Sequence, residues 1–132
     1  MIGIVIVAHG GLAREYLSAI EHVVGKQPGI VAVTIEADHD RADKQAEICT
    51  VADGVDTGDG VVVVTDLYGG SPSNLSLLAC QPENRRILYG MNLPMLIKLA
   101  KSRQKDVPDA VKGALEAGRK YIDSVNVKPE PL

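Results

Sequence analysis

The chain has 132 residues, 45% of them apolar, and a formal net charge of −3 with both signs spread along it. That length suits one domain with a full core, the lack of a Lys/Arg cluster sets aside nucleic-acid binding, and no apolar run approaches the roughly 20 residues of a membrane span, so no direct membrane insertion is expected. With four Tyr and no Phe or Trp, the core must come from Val, Ile, Leu, Ala and Met.

Strands and helices are expected to alternate. Ile2-Gly3-Ile4-Val5-Ile6-Val7-Ala8 is a continuous apolar, β-branched run and reads as a buried strand of a parallel sheet. His9 follows it directly, then Gly10-Gly11. A helix over 12–24 would bury Leu12, Tyr16, Ala19, Ile20 and Val23, with Gly25 as its left-handed stop. Residues 30–36 read as a second strand. Asp40 is a candidate cap for a helix over 41–53, ending near Gly54. Residues 60–66 (Gly-Val-Val-Val-Val-Thr-Asp) are the clearest strand.

The loop Leu67-Tyr68-Gly69-Gly70 leads to Ser71-Pro72, read as N-cap and first helical position of a helix reaching about Cys80. Residues 86–89 form a short fourth strand. A further helix begins at Pro94. Pro108 opens the last, over 108–122, with Ala110, Val111, Leu115 and Ile122 as apolar contacts. Residues 123–127 are a candidate short C-terminal edge strand, and 128–132 a solvated tail. The expected fold is α/β, an open parallel sheet of four strands with helices on both faces.

No basic segment followed by a cleavable apolar one opens the sequence, so no secretion signal is expected. Cys49 and Cys80 lack metal-ligand spacing and read as small buried residues in a reducing cytosol, so a cytoplasmic location is expected and no metal site.

In such a sheet His9, Asp66 and Ser71 would all lie at the carboxyl edge, where open α/β folds keep their sites. The loop 90–94 would reach the same edge. A carboxylate accepting from one imidazole nitrogen fixes the tautomer and leaves the other nitrogen free to attack. An anion beside His9 would meet two helix starts, after Gly10-Gly11 and at Ser71. A phosphoryl group, with its ~2 negative charges and three acceptor oxygens, suits that setting. Plain structural readings stand beside these. His9 could be structural, Asp66 could begin a turn, and Ser71 could be only a cap. Gly69-Gly70 could serve loop geometry alone, and Tyr68 could pack on the sheet edge. His22 and His39 lack matching acidic partners and read as solvated.

Three separated segments carry a resemblance. Ile4-Val5-Ile6-Val7-Ala8-His9-Gly10, Asp66-Leu67-Tyr68-Gly69-Gly70-Ser71-Pro72-Ser73-Asn74 and Gly90-Met91-Asn92-Leu93-Pro94-Met95-Leu96 resemble the mannose-class IIA components of the bacterial phosphoenolpyruvate-dependent sugar phosphotransferase system. The likeness spans almost the whole chain. It implies a phosphotransferase that accepts phosphoryl on His9 from phospho-HPr and passes it to a IIB component. It implies that Asp66 holds the imidazole and that Ser71, with Gly10 and Gly70, flanks the phosphoryl group. No cofactor is implied. It also implies a homodimer exchanging the strand at 123–127, and a single phosphocarrier domain over 1–127. Some members carry Thr where Ala8 stands, and some carry Trp at Tyr68, a position that bears on docking. No fused IIB domain or Ala/Pro-rich linker is evident, so both transport and a regulatory branch fit.

Three other readings compete. One is the phosphocarrier subunit of a dihydroxyacetone kinase system, which the Gly-Gly-Ser-Pro-x-Asn loop fits less well. Another is a flavodoxin-like small-molecule binding module; the first βα loop lacks the Ser/Thr run that would cradle a flavin phosphate. The last is a receiver domain phosphorylated on Asp66, which would need acidic metal ligands near the end of the first strand.

Overall fold

Continuous β-branched runs make the centre of the sheet. The computed structural model describes residues 1–128. Four strands, β1 (Gly3–His9), β2 (Ile30–Ile35), β3 (Val61–Thr65) and β4 (Arg85–Leu88), pair in parallel in the order β2-β1-β3-β4. β1 and β3 are the interior strands. Both of their faces are covered, which is why their sequences run apolar without alternation.

Alternate residues feed two cores. Ile4, Ile6, Val62 and Val64 face α1 (Leu12–Val24), α4 (Leu93–Lys101) and α5 (Val107–Lys120). Val5, Val7, Val61 and Val63 face α2 (Arg41–Val55), the short α3 (Ser71–Leu75) and a 3₁₀ turn at Leu78–Cys80. Each fully buried aliphatic side chain contributes about 1.5–3 kcal/mol.

The chain leaves β1 through α1 toward β2, then returns over β1 through α2 to β3. The winding direction therefore reverses between β1 and β3, and the crevice this opens lies outside their carboxyl ends. Helix starts are tied by side chains. Asp40, Asn92 and Asp106 accept from the backbone N–H of Asp43, Met95 and Asp109 at 2.9, 3.0 and 2.9 Å.

At the opposite edge Arg103 is 4% exposed. Its Nε donates to the Ile2 carbonyl at 2.7 Å. Burial draws its pKa down. No carboxylate pairs with it among the described residues. α1 and α4 end at this edge, and their carbonyl ends favour a cation there.

Several expectations need correction. The buried face of α1 is Ala13 and Ile20 with Tyr16, Leu17 and Val24, while Leu12 and Val23 are exposed. The apolar sector of α1 is wider than its contact, and packing on the sheet selects the stripe one residue on. The N-cap of α3 is Gly70, with Ser71 first in the helix and Pro72 second. Pro fits either early position because neither N–H has an intrahelical partner. α3 stops at Leu75 and does not reach Cys80. The Ser73 and Ser76 hydroxyls donate to the Gly70 and Pro72 carbonyls and compete with the helical ladder. α2 runs past Gly54 to Val55, and α5 ends at Lys120, leaving Ile122 exposed.

No strand forms over 123–127. A strand exists only by pairing, and no ladder bond joins this segment to either sheet edge within the chain. Val125 and Val127 are each 80% exposed. The solvated tail expected at 128–132 lies, apart from its first residue, outside the described residues.

Candidate functional site

His9 is the last residue of β1, and Asp66 follows the last residue of β3. Register brings them together: Val7 pairs with Thr65, so the next residue of β3's chain stands beside Ala8 and His9. Asp66 Oδ2 accepts twice from His9, from ring Nδ1 at 2.8 Å and from the backbone N–H at 3.1 Å. An ionised carboxylate only accepts, so Nδ1 carries the proton and Nε2 keeps its lone pair when the ring is neutral. The His9 side chain is 49% exposed and that of Asp66 only 11%. The imidazole is thus open to solvent, while the carboxylate that holds it is shielded.

Burial by itself would raise the Asp66 pKa. The hydrogen bonds from the His9 ring and amide, with the attraction of the imidazolium, outweigh it and hold the carboxyl below its ordinary value. Its other oxygen, Oδ1, is buried and has no hydrogen-bond partner among the described residues.

The loops around the pair are shaped for close approach. Gly10 adopts a left-handed φ of 56°, and its N–H donates to the Ile35 carbonyl at 3.0 Å. A Cβ added at Gly70 would stand 3.5 Å from His9 Cε1, so the loop lies against the imidazole. With Gly70 as the cap, the hydroxyl that pins this loop belongs to Ser73, which accepts from the Gly69 N–H at 3.0 Å. Ser71 is not used as a cap and instead lines a cavity of about 350 Å³ shared with His9 and Gly10. The structure therefore brings together all five residues singled out from the sequence. The loop after β4 reaches the same edge, where the Met91 N–H donates to the Thr65 carbonyl at 3.1 Å.

His39 was missed. The sequence reading leaves it solvated, yet it lines the His9 cavity, and its Nδ1 is hydrogen-bonded to the Glu36 carbonyl. The signal was its place just past the carboxyl end of β2, next to β1 on the same edge. His22, at the end of α1, is exposed as expected. Tyr68 does not bury itself on the sheet edge: it is exposed, and meets Tyr89 edge to face at a centroid separation of 4.9 Å.

Among the described residues no group of three or more His, Cys, Asp or Glu could hold a metal ion. No helix among them is long and apolar enough to cross a membrane.

An open parallel α/β unit with an imidazole–carboxylate pair at its switch point defines a class, and comparison with known proteins gives the family. The chain belongs to the EIIA-man family, described as the PTS system fructose IIA component, which matches residues 3–116. It is a mannose-class IIA component of the phosphotransferase system. It is 28% identical over 131 residues to the PTS system mannose-specific EIIAB component of Escherichia coli (strain K12), covering 97% of this chain and 41% of that protein. The chain thus spans about two fifths of that relative's length. The phosphotransferase system component EIIA from Streptococcus agalactiae superposes with a TM-score of 0.84 at 29% identity, over 94% of this chain and 97% of that one. The mannose/sorbose specific IIA subunit from Enterococcus faecalis gives 0.85 over 98% of each chain; at 23% identity that likeness shows the fold alone.

Proposed function

We propose that the chain is a cytoplasmic phosphocarrier. It accepts a phosphoryl group on His9 Nε2 from the phosphohistidine of an HPr-like donor and passes it to a IIB acceptor protein. The observation that carries this reading is the 2.8 Å contact between His9 Nδ1 and Asp66 Oδ2. It leaves Nε2 as the nucleophile and keeps the Nδ1 proton where it can balance charge on the phosphorylated ring.

In the transfer, the donor's P–N bond breaks and its imidazole retains the electron pair. A P–N bond forms to His9 Nε2, in line and through a loose transition state. Donor and acceptor are alike, so the step is nearly balanced and runs both ways. The protein supplies position and electrostatics. Asp66 orients the ring. The Ser71 hydroxyl and the backbone N–H groups around Gly10 and Gly70 meet the phosphoryl oxygens. No cofactor enters the step.

Residues 1–127 act as one phosphocarrier domain, and 123–127 pair as a strand with a second copy. The exposed Val125 and Val127 support that use, because pairing would cover them.

Incubation with phosphorylated HPr and its donor enzyme tests the reading. One acid-labile, alkali-stable phosphate per chain is expected, and none in His9→Ala. Label persisting in His9→Ala would rule out His9 as the acceptor. Truncation after Tyr121 is expected to convert a dimer into a monomer in sedimentation; an unchanged state would exclude the exchanged strand.

A further inference from the structure

We propose that His39 is a second ligand of the transferred phosphoryl group: as an imidazolium it donates its Nε2–H to a phosphoryl oxygen at His9. This rests on the carrier reading above. A phosphoryl group brings ~2 negative charges into the cavity, yet among the described residues no Lys or Arg lines it, and Glu36 adds a carboxylate to its wall. Apart from the acceptor itself, His39 is, among the described residues, the one lining side chain that can carry positive charge.

Its ring is also held in a usable way. Nδ1 donates to the Glu36 carbonyl. Nε2 is therefore the nitrogen left for a ligand, and a proton on it makes the ring a double donor. The loop is anchored beside the acceptor, because the Gly10 N–H donates to the carbonyl of Ile35 at the end of β2.

The charged groups around His39 are Glu36, Asp38, Asp40 and Arg41 on its own loop and helix start. Across the cavity stands the His9–Asp66 pair from β1 and β3. α3 offers Ser71, which is uncharged. Glu36 on the cavity wall would repel a phosphoryl group, and a cation beside it offsets that. His39 gives up no proton in the step; it keeps its hydrogen bond as the P–N bond forms at His9.

Single-turnover transfer from phosphorylated HPr to wild type, His39→Leu and His39→Arg tests this, with circular dichroism confirming each fold. A charged hydrogen bond lost from the transition state slows transfer about tenfold or more, so His39→Leu should lose that much in maximal rate at an unchanged half-saturating donor concentration. His39→Arg restores a cation and should stay within about threefold of wild type. The proposal is overturned by a wild-type rate in His39→Leu. It also fails if the effect is confined to the half-saturating concentration, if His39→Arg is as slow as His39→Leu, or if His9→Ala takes up phosphate on His39. A labelled wild type with an indifferent His39→Leu sinks this inference alone; an unlabelled wild type sinks the carrier reading with it.

Discussion

Replacing Asp66 by Asn keeps the side chain's shape and removes its charge. The carboxylate now accepts from both the His9 ring and the His9 amide through one oxygen, at 2.8 and 3.1 Å. An Asn in its place has two settings. With its oxygen toward His9 it accepts the same bonds more weakly, without the charge. With its NH₂ toward Nδ1 it draws the ring proton over to Nε2 and blocks the proposed nucleophile. A hydrogen bond to a charged group is worth about 1.5–3 kcal/mol, so transfer onto His9 should slow by about 10- to 100-fold. Rapid-quench labelling from phosphorylated HPr at neutral pH measures this, with the denaturation midpoint as the control for folding. The same variant carries a pH signature. The folded pKa of Asp66 lies below the ordinary carboxylate value. Its contribution to stability is therefore present above the unfolded value and lost as pH falls through the folded one. The stability gap between wild type and Asp66→Asn should close on acidification below about pH 4. A folded Asp66→Asn protein that transfers at the wild-type rate would refute the orienting role.

Three further outcomes test the framework around the site. Gly60 has a φ of +96°, and an added Cβ would stand 2.2 Å from the Asn84 carbonyl oxygen; Gly60→Ala should destabilise by at least about 2 kcal/mol in urea unfolding, and a neutral effect would mean the β3 entry is looser than described. Burial pushes the Cys80 thiol up to about 11, so iodoacetamide near pH ~8 should modify it only after unfolding, and prompt alkylation of the native protein would contradict that. Arg103→Ala leaves the Ile2 carbonyl without its side-chain donor and empties a buried volume; a loss of about 3 kcal/mol is expected, and a shift under about 1 kcal/mol would show the guanidinium to be dispensable.

How far the site was legible follows from the unbroken apolar runs of the two interior strands. The β-branched run from Ile2 to Ala8 reads as an interior strand, and the Val run before Asp66 likewise, which puts both carboxyl ends on one edge of a parallel sheet. What the sequence left hidden was the wider setting. α2 has no clear apolar stripe, only Ile48 and Ala52 being fully buried, so its start and the loop before it gave little sign of where they would lie. The cap of α3 shifted by one residue because Pro is tolerated at either early position, and that shift is what frees Ser71 for the cavity. The segment 123–127 cannot show itself as a strand in one chain, since its ladder needs an edge from elsewhere.

Strand parity also fixes where the imidazole points. Val5 and Val7 pack with Val33 and Ile35 of β2 on the α2–α3 side, while Ala8 faces α1. His9 continues the Val5–Val7 series and therefore points to the α2–α3 side. The neighbours it meets there have to come from the start of α3 and from the loop that follows Ile35, which are the two segments that supply Gly70, Ser71 and His39. A one-residue slip of β1 would turn the imidazole toward α1 and away from all three. The chemistry at this edge thus depends on the register of one buried strand as much as on the residues that line the cavity.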